Sequence, residues 1–178
     1  MKLLEQDIKS TKPILCEIQK DYIKYMHDVD WRVSVKYKRK FVGLAVKING
    51  RMYVVPLTSQ TTKERTARGK KKRSAAITTF IKVADEEIAN LLHNNMFPVP
   101  EDQIKRIQID PMIDTYLANE ERQIRKNWVS INTKSISIYR ERYDKESRNY
   151  QFFNKVCCDF KKLEIECDRW EKEHRNQV

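Results

Sequence analysis

No stretch of this 178-residue sequence stays apolar for long enough to cross a bilayer, and no signal-peptide core follows its first residues. A cytoplasmic location away from membranes is therefore expected. Metal-binding patterns are missing too. Cys16, Cys157, Cys158 and Cys167 fall in no zinc spacing, and adjacent Cys157 and Cys158 cannot easily share a structural bridge, so all four read as reduced thiols. His27, His93 and His174 are scattered, which leaves no histidine pair for acid–base work. No metal and no other cofactor is expected. Internal repeats and composition breaks are absent as well, so residues 1–178 read as one domain, long enough to bury a core.

Positive charge is what the chain has in excess. Lys and Arg number 36 against 25 Asp and Glu, a formal net charge of +11. Such an excess favours a polyanionic partner through counterion release and electrostatic steering. Charge alone does not say which polyanion.

One stretch organises the rest. Residues 41–59 read FVGLAVKI, then Asn49-Gly50, then RMYVVPL and Thr58-Ser59. Asn and Gly both tolerate the positive φ of a type I′ turn, so two apolar runs joined by this pair predict a hairpin. Counting outward pairs Ile48 with Arg51, Val46 with Tyr53, Leu44 with Val55 and Val42 with Leu57. Further out, Lys40 falls opposite Ser59 and Arg39 opposite Gln60. Two hydroxyls thus meet a basic run of Lys36, Lys38, Arg39 and Lys40, which is chemistry for a phosphate.

Before the hairpin, the pattern predicts a strand through Ile14, Cys16 and Ile18. A short helix follows, with Tyr22, Ile23, Tyr25, Met26 and Val29 at helical spacing. Tyr22 or Tyr25 packs on the sheet or reaches the hairpin's open end. Beyond it, residues 60–74 hold seven basic residues (Lys63, Arg65, Arg68, Lys70, Lys71, Lys72, Arg73) and one acid, six of the eleven net charges. Almost nothing there is apolar, so a mobile, exposed basic loop able to close over a phosphate is expected. Its KKKR also mimics a nuclear import tag, a motif with many false positives.

Residues 76–83 read as a strand, and Asp85 as the N-cap of a helix burying Ile88, Leu91 and Leu92. Residues 103–109 suggest another strand. From Asp114 onward apolar residues recur every three or four positions, with Thr133 as a cap and a last helix over about 150–174. The fold class is α+β: a curled antiparallel sheet covered by C-terminal helices.

RNA can be cut without metal or histidine. The 2′-hydroxyl attacks the neighbouring phosphate, while the enzyme aligns it, stabilises the added negative charge and supplies a proton to the leaving 5′ oxygen. Thr58, Ser59, Lys40, Arg39, Tyr37 and Tyr22 are the right residue types. A hydroxyl pair near lysines fits simple phosphate binding equally well.

Three ordered matches add to this reading. The PLTS end of the hairpin (residues 56–59), the preceding DYIKYMHDVD (residues 21–30) and the box NMFPVP (residues 95–100) resemble the toxins of type III toxin–antitoxin systems, the ToxN/AbiQ/CptN group of bacterial endoribonucleases. The resemblance runs over residues 14–143. It implies a MazF/Kid-like antiparallel, barrel-like sheet with added helices. It also implies metal-independent cleavage that leaves a 2′,3′-cyclic phosphate and a 5′-hydroxyl. As partners it implies cellular or phage RNA and a repeat-derived, pseudoknotted antitoxin RNA that the toxin cuts and is inhibited by, within a closed toxin–RNA complex that serves abortive phage defence.

Matched position by position, Thr58 and Ser59 correspond to the family's hydroxyl pair, Tyr22 to its early tyrosine, and Tyr37 and Arg39 to a tyrosine and lysine before the hairpin. Many relatives continue Thr-Ser-Pro-Lys, whereas this chain reads Thr58-Ser59-Gln60-Thr61, so Lys63 or Lys40 stands in for the lysine. Residues 1–12 are an extension without an assigned role. A basic RNA-binding regulator without catalysis is the competing reading, and Ser59 separates the two.

Overall fold

Seven strands build one antiparallel sheet around a tight turn at Asn49 and Gly50 in the computed structural model, which describes residues 11–35, 39–44 and 47–175. Both turn residues have positive φ, 50° and 77°, as a type I′ turn requires. Strand β1 (Ile14–Ile18) leads into helix α1 (Lys20–Val29), and β2 (Phe41–Gly43) and β3 (Tyr53–Thr58) follow. After the short helix α2 (Thr62–Ala67) come β4 (Thr78–Val83), β5 (Glu86–Leu92), β6 (Phe97–Pro98) and β7 (Ile104–Arg106). Four helices follow among the described residues: α3 (Thr115–Lys126), α4 (Trp128–Glu141), α5 (Tyr150–Val156) and α6 (Phe160–Arg175).

The strand order is β4-β5-β3-β2-β1-β7, with β6 also on β3. Strand β3 makes the sheet curl. Its start pairs with β6 through Tyr53 and Val54, and its end pairs with β5 through Leu57 and Thr58. Pro56, which has no N–H to donate, lies between those two pairings. Inside the curl Tyr22, Phe41, Tyr53, Phe97 and Phe160 are fully buried. Helices α1 and α6 close over them, with the Tyr22 and Trp170 rings edge-to-face at 5.2 Å. The hairpin tip is tied to α6 by a buried carboxylate: Glu164 accepts hydrogen bonds from Tyr53 (2.9 Å), Tyr139 (3.1 Å) and the Asn49 amide (3.2 Å). Arg51 beside it pairs with Asp168.

The hairpin register differs from the count made outward from its turn. Ile48 does bridge Arg51, but Val42 pairs with Val55 and Phe41 with Pro56. Four residues (44–47) on one side oppose two (52–53) on the other, so the pairing slips by two. The expected Val46 pairing lies outside the described residues. A two-residue slip keeps every side chain on its face, which is why the apolar pattern hides it. Its effect is to set Lys40 opposite Leu57, whose N–H donates to the Lys40 carbonyl at 2.8 Å, and to carry Arg39 toward Thr58.

Four other expectations are corrected. Asp85 does not cap a helix: Ala84 and Asp85, at φ 46° and 65°, form the turn of the β4–β5 hairpin. The spacing of Ile88, Leu91 and Leu92 suits a helix as well as a strand paired on both sides. Residues 60–74 are not a structureless loop but contain α2, closed by a capping box in which Thr61 and Glu64 bond each other's backbone N–H. Thr133 lies within α4, which starts at Trp128. The last helix is two, broken at Cys157, Cys158 and Asp159. All four cysteines are buried and free.

Candidate RNA-binding cleft

The end of β3 and the segment after it enclose a cleft of about 440 Å³. Arg39, Thr58, Gln60, Arg65, Lys70, Lys72 and Arg73 are among its lining residues. Ser34, Thr78, Asn94 and Asn95, with Ile77 and Leu92, add hydroxyl, amide and aliphatic surface.

Gln60 holds the basic side in place. Its side-chain oxygen accepts from Arg65 and from Arg73, each at 3.3 Å, and its carbonyl accepts from Arg73 at 2.7 Å and from the Asn90 amide at 2.9 Å. Arg65 also donates to the Lys71 carbonyl at 3.2 Å, folding the segment back on itself. Glu87 anchors α2 by accepting from the Thr62 N–H at 2.6 Å and from Asn90 at 2.7 Å. Burial pushes the Glu87 carboxyl up, but these hydrogen bonds outweigh it and hold the group below its ordinary value.

The arginines repel one another. Burial lowers Arg39, and burial together with the charges of Arg65 and Arg39 pulls Arg73 down to about 10, with only Glu87 acting the other way. Neutral amide oxygens satisfy their donors without cancelling their charge. A phosphate, with its several acceptor oxygens, would do both.

The predicted site residues divide. Arg39, Thr58, Arg65, Lys70, Lys72 and Arg73 come together in the cleft. Thr58 accepts from the Gln60 N–H at 3.3 Å, whereas Ser59, next in the chain, is exposed and outside the cleft lining. Lys63, Arg68 and Lys71 are exposed on α2 and just after it, outside the cleft lining. Lys40 points elsewhere: it pairs at 3.3 Å with the buried Glu120 of α3 and lies 5.8 Å from the Tyr116 ring. Burial raises the Glu120 carboxyl, and Lys40 offsets this in part. Tyr22 does not reach the hairpin's open end. It is fully buried, its hydroxyl donates to the Pro98 carbonyl at 2.8 Å, and burial pushes its acidity out of any useful range. Lys36, Tyr37 and Lys38 lie outside the described residues.

Sequence reasoning passed over Gln60, Asn94, Asn95 and Thr78. Gln60 alone carried a signal, since it replaces the proline of the Thr-Ser-Pro-Lys pattern. The NMFPVP box is chiefly structural: Phe97 and Pro98 pair with β3, and Asn95 donates to the Arg32 carbonyl at 2.8 Å at the cleft's edge. Among the described residues no three His, Cys, Asp or Glu side chains gather as a metal-binding group, and no helix is long and apolar enough to cross a membrane.

The curled sheet, the helical end and the order of the motifs agree with the type III toxin class that the sequence resembles. The profile described as "Toxin ToxN, type III toxin-antitoxin system" matches residues 14–167, and the chain belongs to this family. It is 32% identical to Endoribonuclease ToxN of Bacillus thuringiensis subsp. kurstaki over 87% of this chain and 82% of that one. Endoribonuclease AbiQ of Lactococcus lactis subsp. lactis is 27% identical over 85% of this chain and 86% of its own. Among solved structures, a bacterial type III toxin selectively inhibited by a non-coding RNA pseudoknot superposes with a TM-score of 0.78 at 30% identity, covering 90% of this chain and 99% of that one. The lactococcal anti-phage endoribonuclease AbiQ shares the fold, with a TM-score of 0.77 at 23% identity.

Proposed function

We propose that this chain, acting as one domain, is an endoribonuclease toxin that cuts RNA by attack of the 2′-hydroxyl on the adjacent phosphorus. The bond from phosphorus to the 5′ oxygen breaks, the products are a 2′,3′-cyclic phosphate and a 5′-hydroxyl, and no metal takes part. The observation that carries this reading is the convergence of Arg39, Arg65 and Arg73 beside Thr58, the residue just before Ser59. Cations held before the substrate arrives stabilise the charge that develops on the pentavalent phosphorus, with no reorganisation at the moment of reaction. These arginines take the place of the lysine that relatives carry after the Thr-Ser pair. Ser59 and Thr58 offer hydroxyls to the reacting phosphate.

The RNA partner is a repeat-derived, pseudoknotted antitoxin that the toxin itself cuts, and toxin and RNA assemble into a closed complex. Family membership, and the pseudoknot inhibition described for the similar solved toxin, support this partner. Four buried free thiols suit a reducing cytoplasm.

Ser59→Ala tests the proposal. Cleavage of a labelled single-stranded RNA and growth inhibition in cells are both expected to be lost, while RNA affinity stays within about twofold, because a neutral hydroxyl adds little to a charge-driven complex. Full cleavage by the alanine variant would remove Ser59 from the chemistry. Cleavage that stops in EDTA and returns with magnesium would overturn the metal-free mechanism.

A further inference from the structure

Thr78 is the first residue of β4, opposite Leu92 in the ladder, and lies between two cleft residues, Ile77 before it and Leu92 across from it. It is 1% exposed, and its hydroxyl is shielded from solvent with no hydrogen-bond partner. Buried hydroxyls in native proteins are nearly always bonded, so an exception calls for a cause. The backbone around Thr78 is well satisfied: its carbonyl accepts from Lys134 at 2.8 Å, and the Ile77 carbonyl from the His93 N–H at 3.0 Å. What is left over is the hydroxyl alone.

We propose that the cleft seats one nucleotide of a bound RNA strand and that Thr78 reads its base, an inference that rests on the endoribonuclease reading given above. Three features of the cleft fit this occupant. Its size is that of a small-ligand pocket. Arg39, Arg65 and Arg73 form a wall for the phosphate. Ile77 and Leu92 supply aliphatic surface for a ring face, next to Asn94 and Asn95, whose amide nitrogens already donate to the Val156 and Arg32 carbonyls. Thr78 sits at that aliphatic end, where the base would lie. Thr78 lines the cleft with its hydroxyl unpaired, so a small shift of the cleft wall on binding would present a free donor and acceptor to a base edge. Because the hydroxyl is a donor and an acceptor, it would favour some bases over others. The cleft would therefore contribute to cleavage preference next to the cut.

Thr78→Val, which keeps the shape and removes the hydroxyl, separates this role from a structural one. Kinetics would use a short single-stranded oligoribonucleotide of random sequence, and the cut ends would be sequenced. The expected result is a KM raised about tenfold with kcat within about twofold, a relaxed base preference at one position, and an unliganded melting temperature equal to or above wild type. Thr78→Ser should restore wild-type KM and preference. An unchanged KM and preference in Thr78→Val would overturn the proposal. So would a lowered melting temperature with unchanged preference, which would mark the hydroxyl as structural, bonded to a trapped water. If the wild type binds the oligoribonucleotide without cutting it, the endoribonuclease reading fails by itself, and the affinity ratio of wild type to Thr78→Val still decides the role of Thr78.

Discussion

His93 shows how much one neutral side chain can carry. It is fully buried, with Nδ1 and Nε2 each 2.8 Å from a hydroxyl, Ser135 and Thr79 respectively. Ser135 has one proton and gives it to the Ile131 carbonyl at 3.1 Å. It must then accept from Nδ1–H, which leaves Nε2 to accept from Thr79. The ring is thus a neutral imidazole joining β4 to α4, and burial holds its pKa at about 3. The unfolded chain, with an ordinary histidine, binds the proton at about pH 6.5. Stability from this group is therefore complete above that pH and is lost as pH falls from about 6.5 toward 3, at up to about 1.4 kcal/mol per pH unit. Urea midpoints measured from pH 7 to pH 4 should fall more steeply for the wild type than for His93→Gln, which has no proton to take up. Equal slopes would show that His93 is protonated in the folded state. None of this was legible from the sequence, where His93 is one of three scattered histidines. Asn94 and Thr78 were equally silent, because neutral polar residues carry no charge or spacing pattern, and only the tertiary fold brings them to one cleft. The density of basic charge near Thr58 and Ser59 was legible without a structure, but the count from the Asn-Gly turn set Lys40 at the pair where the slipped register carries Arg39 toward Thr58.

Helix α2 is the element on which the cleft depends, and it is short. Six residues do not sustain a helix in water, because nucleation fixes several dihedrals for one hydrogen bond. Its capping box and the Glu87 carboxylate at the Thr62 N–H supply what length does not. Thr61→Ala should cost about 1 kcal/mol locally. The expected signature is faster amide exchange over residues 62–70 and weaker RNA binding, with little change in the melting temperature of the sheet. A global loss of stability instead would mean that α2 folds as one unit with the core. The Thr-x-x-Glu signal at residues 61–64 stood in the sequence and was outweighed by the charge around it. The β4–β5 hairpin was missed for a different reason, since its turn uses Ala84 and Asp85 in place of the usual Gly or Asn. The β2–β3 register was missed because a two-residue slip leaves no mark on an alternating pattern.

At the scale of the whole molecule, a net charge of +11 is distributed unevenly, with residues 60–74 carrying much of it and part of that lining the cleft. Affinity for RNA should fall with salt, and on a single strand the log–log slope should shrink by about 0.7 for each phosphate contact removed. Arg65→Gln with Arg73→Gln should flatten the slope by roughly twice that, whereas Arg68→Gln, outside the cleft lining, should change it less. An unchanged slope in the double variant would place the phosphate elsewhere. Arg65 and Arg73 of the basic segment are already held by hydrogen bonds before any RNA arrives, and this has a kinetic consequence. A disordered basic tail pays its ordering entropy during each encounter, but here that loss falls once, when the protein folds. Capture of RNA then needs no slow rearrangement, so salt should act mainly on the association rate, and the lifetime of the bound state should be set by how the RNA itself unfolds from the cleft.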